Sequence, residues 1–349
     1  MSRSLREISW QVPEETYRED PALSYSTLAK YERSGFNGLE TLFDKVESPS
    51  LTFGQAVDSI ITGGEEEFNQ RFFVADMPET PDSVVKIVKD LFAVYGTSYN
   101  SIESIPDSNV LVVVNNNSYQ QNWKPETRVK VVKEKGSRYY ELLFLSGTKT
   151  ILSSEVADNV YAAVRALKES EATKWYFEED NPFDDSIQRF YQLKFKATLN
   201  GIDYRCMADE LIVDKKNKIV YPIDLKTSSH KEWDFYQSFV QWRYDVQART
   251  YWRIIRKVMD ADEEFKDYKL ADYKFIVVNK ETLTPLVWEF ESTTETGNLF
   301  FGKNKQIEMR DPETIGQELH YYLSTENVVV PQGIEINNSN SLIKWMENM

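Results

Sequence analysis

Met207-Ala208-Asp209-Glu210 is followed, after a polar turn at Lys215-Lys216-Asn217-Lys218, by Tyr221-Pro222-Ile223-Asp224-Leu225-Lys226-Thr227-Ser228. Two carboxylates and an amine on neighbouring strand-like runs are the ingredients of metal-dependent phosphodiester cleavage. Carboxylate-held Mg²⁺ acidifies a bound water and neutralises phosphate oxygens. A lysine beside it can hold or deprotonate that water, or stabilise developing charge. Asp224 and Lys226 are two apart on an extended segment, so they share a face, while Ile223 and Leu225 take the other. With Lys216 and Asn217 at the turn centre, Asp209 falls opposite Asp224, with Cβ atoms about 4.5–5.5 Å apart. A slip of one residue puts Glu210 or Ala208 there instead.

Bare Asp-x-Lys tripeptides are common on solvated sheet surfaces. Here the charges are embedded in apolar, β-rich runs, Pro222-Ile223 before Asp224 and Cys206-Met207-Ala208 before Asp209. Charges in buried-type strands have partners, and two close carboxylates imply a cation or a raised pKa.

The elements that must position these groups follow from periodicity and turn chemistry. Residues 22–48 read as mostly helical, opened by Ser24-Tyr25-Ser26-Thr27. Phe53 to Thr62 is a short amphipathic helix ended by Gly63-Gly64, and Asp82 to Tyr95 is another. Residues 99–122 are polar, with Asn115-Asn116-Asn117 marking a loop, and Tyr139 to Phe144 reads as a strand. Ser153 to Phe177 reads as one long helix. Strand-like runs follow at 187–199, 203–213 and 219–226, then a helix from Ser238 to Met259, strands at 272–279 and 285–291, and a helix at 312–324. The expected class is α+β (or α/β): a central mixed sheet flanked by helices, with a helical N-terminal part. No linker stands out, so one domain is expected over 1–349: a mainly helical part over 1–180, the core over 185–295, and a C-terminal helix and tail over 296–349.

Hydrophobic residues make up 41% and aromatics 13% of 349 residues, enough for a sizeable core. One cysteine, Cys206, excludes an internal disulfide and a cysteine-ligated zinc or iron–sulfur site. With two histidines, His230 and His320, a metal site would be mainly carboxylate, which favours Mg²⁺ or Mn²⁺. Neither a membrane span nor a signal-peptide segment is evident, so a cytoplasmic protein without membrane contact is expected. The net charge of −15 opposes tight non-specific binding to nucleic acid, although part of an acidic excess can be metal ligands and DNA could still follow a local basic groove. Arg128, Lys130, Lys133, Lys135 and Arg138, with Trp123, Tyr139 and Tyr140, could guide a single strand. A solvated strand pair is the plainer reading of that cluster.

On the following helix, Tyr244, Gln247 and Tyr251 share a face, and a glutamine in that mostly apolar stripe needs a hydrogen-bond partner. The ordered set Gly201 to Asp209, then Pro222-Ile223-Asp224-Leu225-Lys226-Thr227, then Tyr244-Asp245-Val246-Gln247-Ala248-Arg249-Thr250-Tyr251 resembles the PD-(D/E)xK nuclease superfamily. It is most similar to the RecB-like and RecE-like (exonuclease VIII) branch, which includes bacteriophage exonucleases. Weaker matches are Ser24-Tyr25-Ser26-Thr27-Leu28, Gly54 to Asp58 against a Gly-x-x-x-His element, and Tyr273 to Val278. The strong motifs span about 188–255, and the weaker ones most of the chain.

The resemblance implies a restriction-endonuclease-like core and a metal-dependent DNA exonuclease of phage recombination or DNA processing. Asp209, Asp224 and the Leu225 carbonyl would ligate one or two Mg²⁺ or Mn²⁺ ions, with Asp58 as an outer ligand in place of the family histidine. Lys226 would be the catalytic lysine, and Gln247 and Tyr251 would contact substrate or orient it. Where relatives carry a glutamate before Asp209, this chain offers Gln188 or Gln192, and Gln192 is taken as a substrate-side neighbour. Arg243 and Arg249 are candidates for phosphate contact, with Lys194 and Lys196 behind them. DNA is the expected partner, in the bacterial host cytoplasm if the protein is phage-encoded. An annealing protein and an oligomer are further expectations by analogy. The rival readings are an endonuclease of the same fold and a catalytically silent DNA-binding or assembly protein.

Overall fold

The computed structural model describes residues 3–43, 48–292, 298–301 and 305–324. Its helices and strands, in chain order, are α1 (Leu5–Ile8), α2 (Glu14–Glu19), α3 (Tyr25–Ser34), α4 (Pro49–Arg71), β1 (Phe72–Val74), α5 (Asp82–Tyr95), α6 (Asp107–Asn116), α7 (Pro125–Ser146), β2 (Thr150–Leu152) and α8 (Ser154–Glu169). Then follow β3 (Ile187–Leu199), β4 (Ile202–Asp214), β5 (Ile219–Ser228), α9 (Phe235–Gln241), α10 (Tyr244–Asp260), β6 (Lys269–Leu270), β7 (Tyr273–Asn279), β8 (Pro285–Phe290), β9 (Asn298–Phe301), β10 (Lys305–Glu308) and α11 (Pro312–Ser324). The expected tail after residue 324 lies outside the described residues. No helix among them is long and apolar enough to cross a membrane.

The chain divides into two compact units, residues 1–62 with 162–349, and residues 63–161. The second unit is built on α5, α6 and α7, with β1 and β2 paired in parallel. Val84, Ile87, Val88 and Leu91 recur at helical spacing on α5 and are fully buried. Gly136 on α7 lets the helices close up, because a Cβ there would lie 2.5 Å from Val88 Cγ2. Here the structure corrects two expectations. Residues 139–144 are not a strand but the second half of α7, which starts with a proline in its first turn and buries Val129, Val132, Tyr139 and Tyr140. The asparagines at 115 and 116 end α6 rather than lie in a long loop.

The first unit holds a mixed sheet in the order β3-β4-β5-β7-β8, with β6 beside the start of β5. β3, β4 and β5 are antiparallel, β5 and β7 parallel, and β7 and β8 antiparallel. Parallel neighbours need a crossover, and α9 and α10 supply it. α10 packs on the sheet across β3, β4 and β7 and against α3. Its Val246, Ile254, Ile255 and Met259 join Phe195, Tyr204, Cys206, Tyr273 and Phe275 in the main core. The expected central mixed sheet flanked by helices is what the chain forms.

The expected single helix over 238–259 is two helices. Arg243 lies in the left-handed region (φ +57), which breaks the helical ladder between α9 and α10. Its guanidinium is held by Asp245 and Glu32, so ion pairing stabilises the break. Similarly, the long helix expected to Phe177 stops at Glu169, and residues 174–177 form a separate 3₁₀ turn.

Candidate active site

The β4–β5 ladder runs from Asp214–Ile219 to Glu210–Ile223 and stops. Asp209 and Asp224 come next in that same register, as the turn geometry predicts. β5 continues in its pairing with β7 as far as Ser228–Asn279. The two strands β4 and β5 thus part company at Asp209, and a gap opens between them. Asp209 Oδ2 accepts a hydrogen bond from the Leu225 N–H at 2.9 Å, standing in for the missing strand partner. An extended residue sends its N–H and C=O toward the same neighbour, so the Leu225 carbonyl faces the same gap.

Asp224 is almost wholly buried, and two groups hold it. Lys226 forms an ion pair with its Oδ2, and Gln247 Nε2 donates to its Oδ1. The Lys226 ammonium also lies over the Tyr244 ring, 5.1 Å from its centre. Gln247 Nε2 thus finds the partner that a glutamine in an apolar helix face needs, while its Oε1 is buried with no hydrogen-bond partner among the described residues. α4 brings the third carboxylate. A Cβ on Gly54 would lie 3.1 Å from Thr227 Oγ1 on β5, so glycine permits this close approach. Asp58, one turn along, accepts from Gln192 Nε2 at 3.3–3.4 Å.

The electrostatics follow from that crowding. Burial, then the charges of Asp224 and Asp58, push the Asp209 carboxyl well above the usual range, against the pull of Lys226. Burial would lower the Lys226 amine, but Asp224, with Tyr244 and Asp209, outweighs it and holds the ammonium above its ordinary range. In this state Lys226 is a fixed cation rather than a proton acceptor.

Among the described residues, no three His, Cys, Asp or Glu side chains converge tightly enough to hold an ion as they stand. The donor set still fits a hard divalent ion in its chemistry. Asp58, Asp209 and Asp224 share one electrostatic neighbourhood, every donor is oxygen, and the Leu225 carbonyl faces the gap. The Asp224 carboxylate is meanwhile occupied by Lys226, so an ion there competes with the ammonium.

The remaining candidates lie elsewhere or are engaged. Tyr251 is buried, edge-on to Tyr273 at 6.1 Å. Arg243 is forked onto Asp245 at 3.0 Å and bonded to Glu32 at 2.8 Å. Arg249 is 2% exposed and lies over the Phe290 ring. Lys194 donates to the Val12 carbonyl, and Lys196 pairs with Asp20. Gln188 pairs with Val213 on the β3–β4 ladder, away from the carboxylates. In the second unit, Arg128 is buried, Lys133 is bound to Asp107 and the Ile105 carbonyl, and Tyr139 and Tyr140 are core residues. The basic cluster is therefore not a strand pair, and of its three aromatics Tyr139 and Tyr140 are buried while Trp123 is exposed.

Two tyrosines to which the sequence assigned no role border the site. Tyr244 forms the floor under Lys226, and Tyr25 packs against Tyr244 at 6.4 Å while donating to the Trp242 carbonyl at 2.7 Å. Tyr244 was legible as the residue three before Gln247 on the same helix face. Tyr25 was legible only as part of the helix start Ser24-Tyr25-Ser26-Thr27-Leu28.

No family model matches the sequence, and no curated protein matches it. Among solved structures, a protein from Eubacterium rectale described as "Putative exonuclease" is similar over 97% of this chain and 88% of its own, with 13% identity and a TM-score of 0.39.

Proposed function

We propose that the protein is a Mg²⁺- or Mn²⁺-dependent deoxyribonuclease that hydrolyses phosphodiester bonds from the ends of linear DNA. The observation that carries this reading is the arrangement at Asp224: a buried carboxylate paired with Lys226, bonded by Gln247, and set beside Asp209 where two strands diverge. Such a group is costly unless compensated, and its surroundings suit a phosphate and a cation better than a structural ion pair.

Asp209, Asp224, the Leu225 carbonyl and, more loosely, Asp58 would hold the ion, which would supply an activated water and charge neutralisation at the phosphate. Lys226, released from Asp224, would face the scissile phosphate as a cation and stabilise the charge that builds there. Gln247 would keep Asp224 oriented once the lysine has left. Tyr244 would hold the lysine stem, and the buried wall of α10 would exclude bulk water. Because Arg243, Lys194 and Lys196 already have protein partners, DNA affinity would be modest, with a shallow salt dependence. The end-specific activity, and a role in phage recombination beside an annealing protein, rest on the ordered resemblance of residues 201–251 to RecE-like exonucleases.

The test compares linear and covalently closed circular duplexes with Mg²⁺, with chelator, and with Asp224→Asn. The expected result is loss of linear DNA only, abolished by chelator and by the substitution. Cleavage of closed circles would replace the exonuclease with an endonuclease. Full activity in chelator would overturn the metal dependence.

A further inference from the structure

Seven non-glycine residues among those described have φ in the left-handed region: Ser118, Gln120, Gln192, Asn200, Lys218, Arg243 and Leu283. Six of them lie in turns or between elements, where such a conformation reverses the chain. Gln192 differs. It sits inside β3, with ladder pairs on both sides, Tyr191 with Glu210 and Leu193 with Ala208. Its own position falls opposite Asp209. Glutamine has no side-chain device that favours this backbone, so the surroundings must impose it.

The local consequence is visible in the packing. Phe190 and Leu193 both enter the main core although they are three apart, and Ala208 and Leu211 do the same on β4. The period-two alternation is therefore reset on both strands at the Gln192–Asp209 position, with the register unchanged on either side. The reset leaves the Gln192 amide directed at Asp58, to whose two carboxylate oxygens Nε2 donates at 3.4 and 3.3 Å.

We propose that Gln192 is the positioning residue of Asp58: its strained backbone is retained because it turns a neutral amide onto that carboxylate and aims it at the gap beside Asp209. This rests on the metal-dependent reading above and deepens it. An amide suits the task for a physical reason. Lys226 neutralises Asp224 and competes with any ion for it, whereas Gln192 is a neutral amide and orients Asp58 without adding a positive charge of its own. Partners that orient ligands in this way are worth about 10-fold to 100-fold in metal affinity.

The discriminating variant is Gln192→Gly, which keeps the left-handed backbone without strain and removes the side chain that carries the amide. Mn²⁺ binding by the full chain is followed by electron paramagnetic resonance, with no DNA present, and thermal stability is followed beside it. The expected result is an unchanged or higher melting temperature with Mn²⁺ affinity lowered about 10-fold. Adding Asp58→Asn to Gln192→Gly should then cost less than Asp58→Asn costs alone, because the two act as one unit. Parental Mn²⁺ affinity in Gln192→Gly would overturn the proposal and leave a local irregularity of β3 with no part in metal binding. Full additivity with Asp58→Asn would overturn it too. Absence of saturable Mn²⁺ binding in the parent would instead overturn the metal reading itself, and this proposal with it.

Discussion

Lys226→Met removes the ammonium while keeping most of the apolar stem over Tyr244. The Lys226 side chain is 18% exposed and that of Asp224 2%, so the pair is largely shielded from water. Unit charges about 4 Å apart attract by roughly 4 kcal/mol at an effective dielectric constant near 20. Desolvation of the lysine offsets part of that. The larger effect is what remains: a buried Asp224 beside Asp209 with no cation, a loss of about 3–5 kcal/mol in metal-free buffer at neutral pH. The sign of the pH dependence follows. Asp209 already has a carboxyl raised in the folded state, and Lys226 is one of the groups holding it down. Without the ammonium it rises further. Stability from a raised carboxyl is present below its unfolded value and lost as pH rises through the folded one. The deficit of the variant should therefore be small near pH 4 and largest above neutrality. Because the lysine no longer competes, Mn²⁺ should bind more tightly than in the parent, and about 100 times the dissociation constant should restore roughly 2.7 kcal/mol. Hydrolysis should nevertheless fall by about 10²–10³-fold, the loss typical of one charge-stabilising donor. Urea denaturation at pH 4 and 8, with and without Mn²⁺, and cleavage of end-labelled duplex measure both effects. Parental stability at pH 8 in chelator would refute the argument from the ion pair, and parental cleavage would refute the role in chemistry.

Other perturbations report on neighbouring parts of the same structure. Gln247→Leu removes the donor to Asp224 and should cost about 2 kcal/mol in urea denaturation, the worth of a hydrogen bond to a charged group, together with a fall in cleavage rate. Burial raises the Glu210 carboxyl to about 8, against the lowering influence of Arg189 and Tyr191. Its stability contribution is therefore complete below about pH 4.5 and is lost as pH rises through about 8. Glu210→Gln should accordingly stabilise the protein by roughly 3 kcal/mol at pH 7, and by less toward pH 5, in a urea series across pH. Gly54→Val should push α4 off Thr227 and cost about 1–3 kcal/mol as overpacking. Thr227→Ala in the same chain should recover part of both stability and cleavage, which a purely local helix defect would not allow.

The strands that carry the site were legible because their alternation and turn chemistry agree. The turn at 215–218 set the register that places Asp209 beside Asp224, and the ladder follows it down to Glu210 and Ile223. Gln247 was legible for a related reason: a polar side chain in an apolar stripe needs a partner, and the partner is Asp224. α7 was misread because valines and tyrosines in its sequence have strand-like propensity. Their three- and four-residue spacing wins once they pack on α5, a tertiary effect that propensity does not contain.

The harder failures concern charge and backbone conformation rather than element type. Arg243 sits beside the site in sequence, yet its left-handed backbone turns it onto Asp245 and Glu32, where it holds the α9–α10 junction. Arg249 lies two residues from Gln247, and on a helix that spacing puts it on another face, toward Phe290. Gln192 shows the same limitation from the opposite side. Its composition suggested a weak substitute for a glutamate, and only its φ of +54 and its bond to Asp58 give it a physical task. A residue type at a motif position states which interactions are available, and the backbone decides which of them is made. The acidic excess of the chain bears on the same point. Among the described residues around the site, Asp20, Asp245 and Glu32 occupy Lys196 and Arg243, so they reduce its positive charge without lying in the gap. Under the proposed function, a phosphate entering there would meet Lys226 together with the ion that the aspartates would hold. That is why substrate binding and metal binding should be strongly coupled in this protein, with little DNA retained at moderate salt when the ion is withheld.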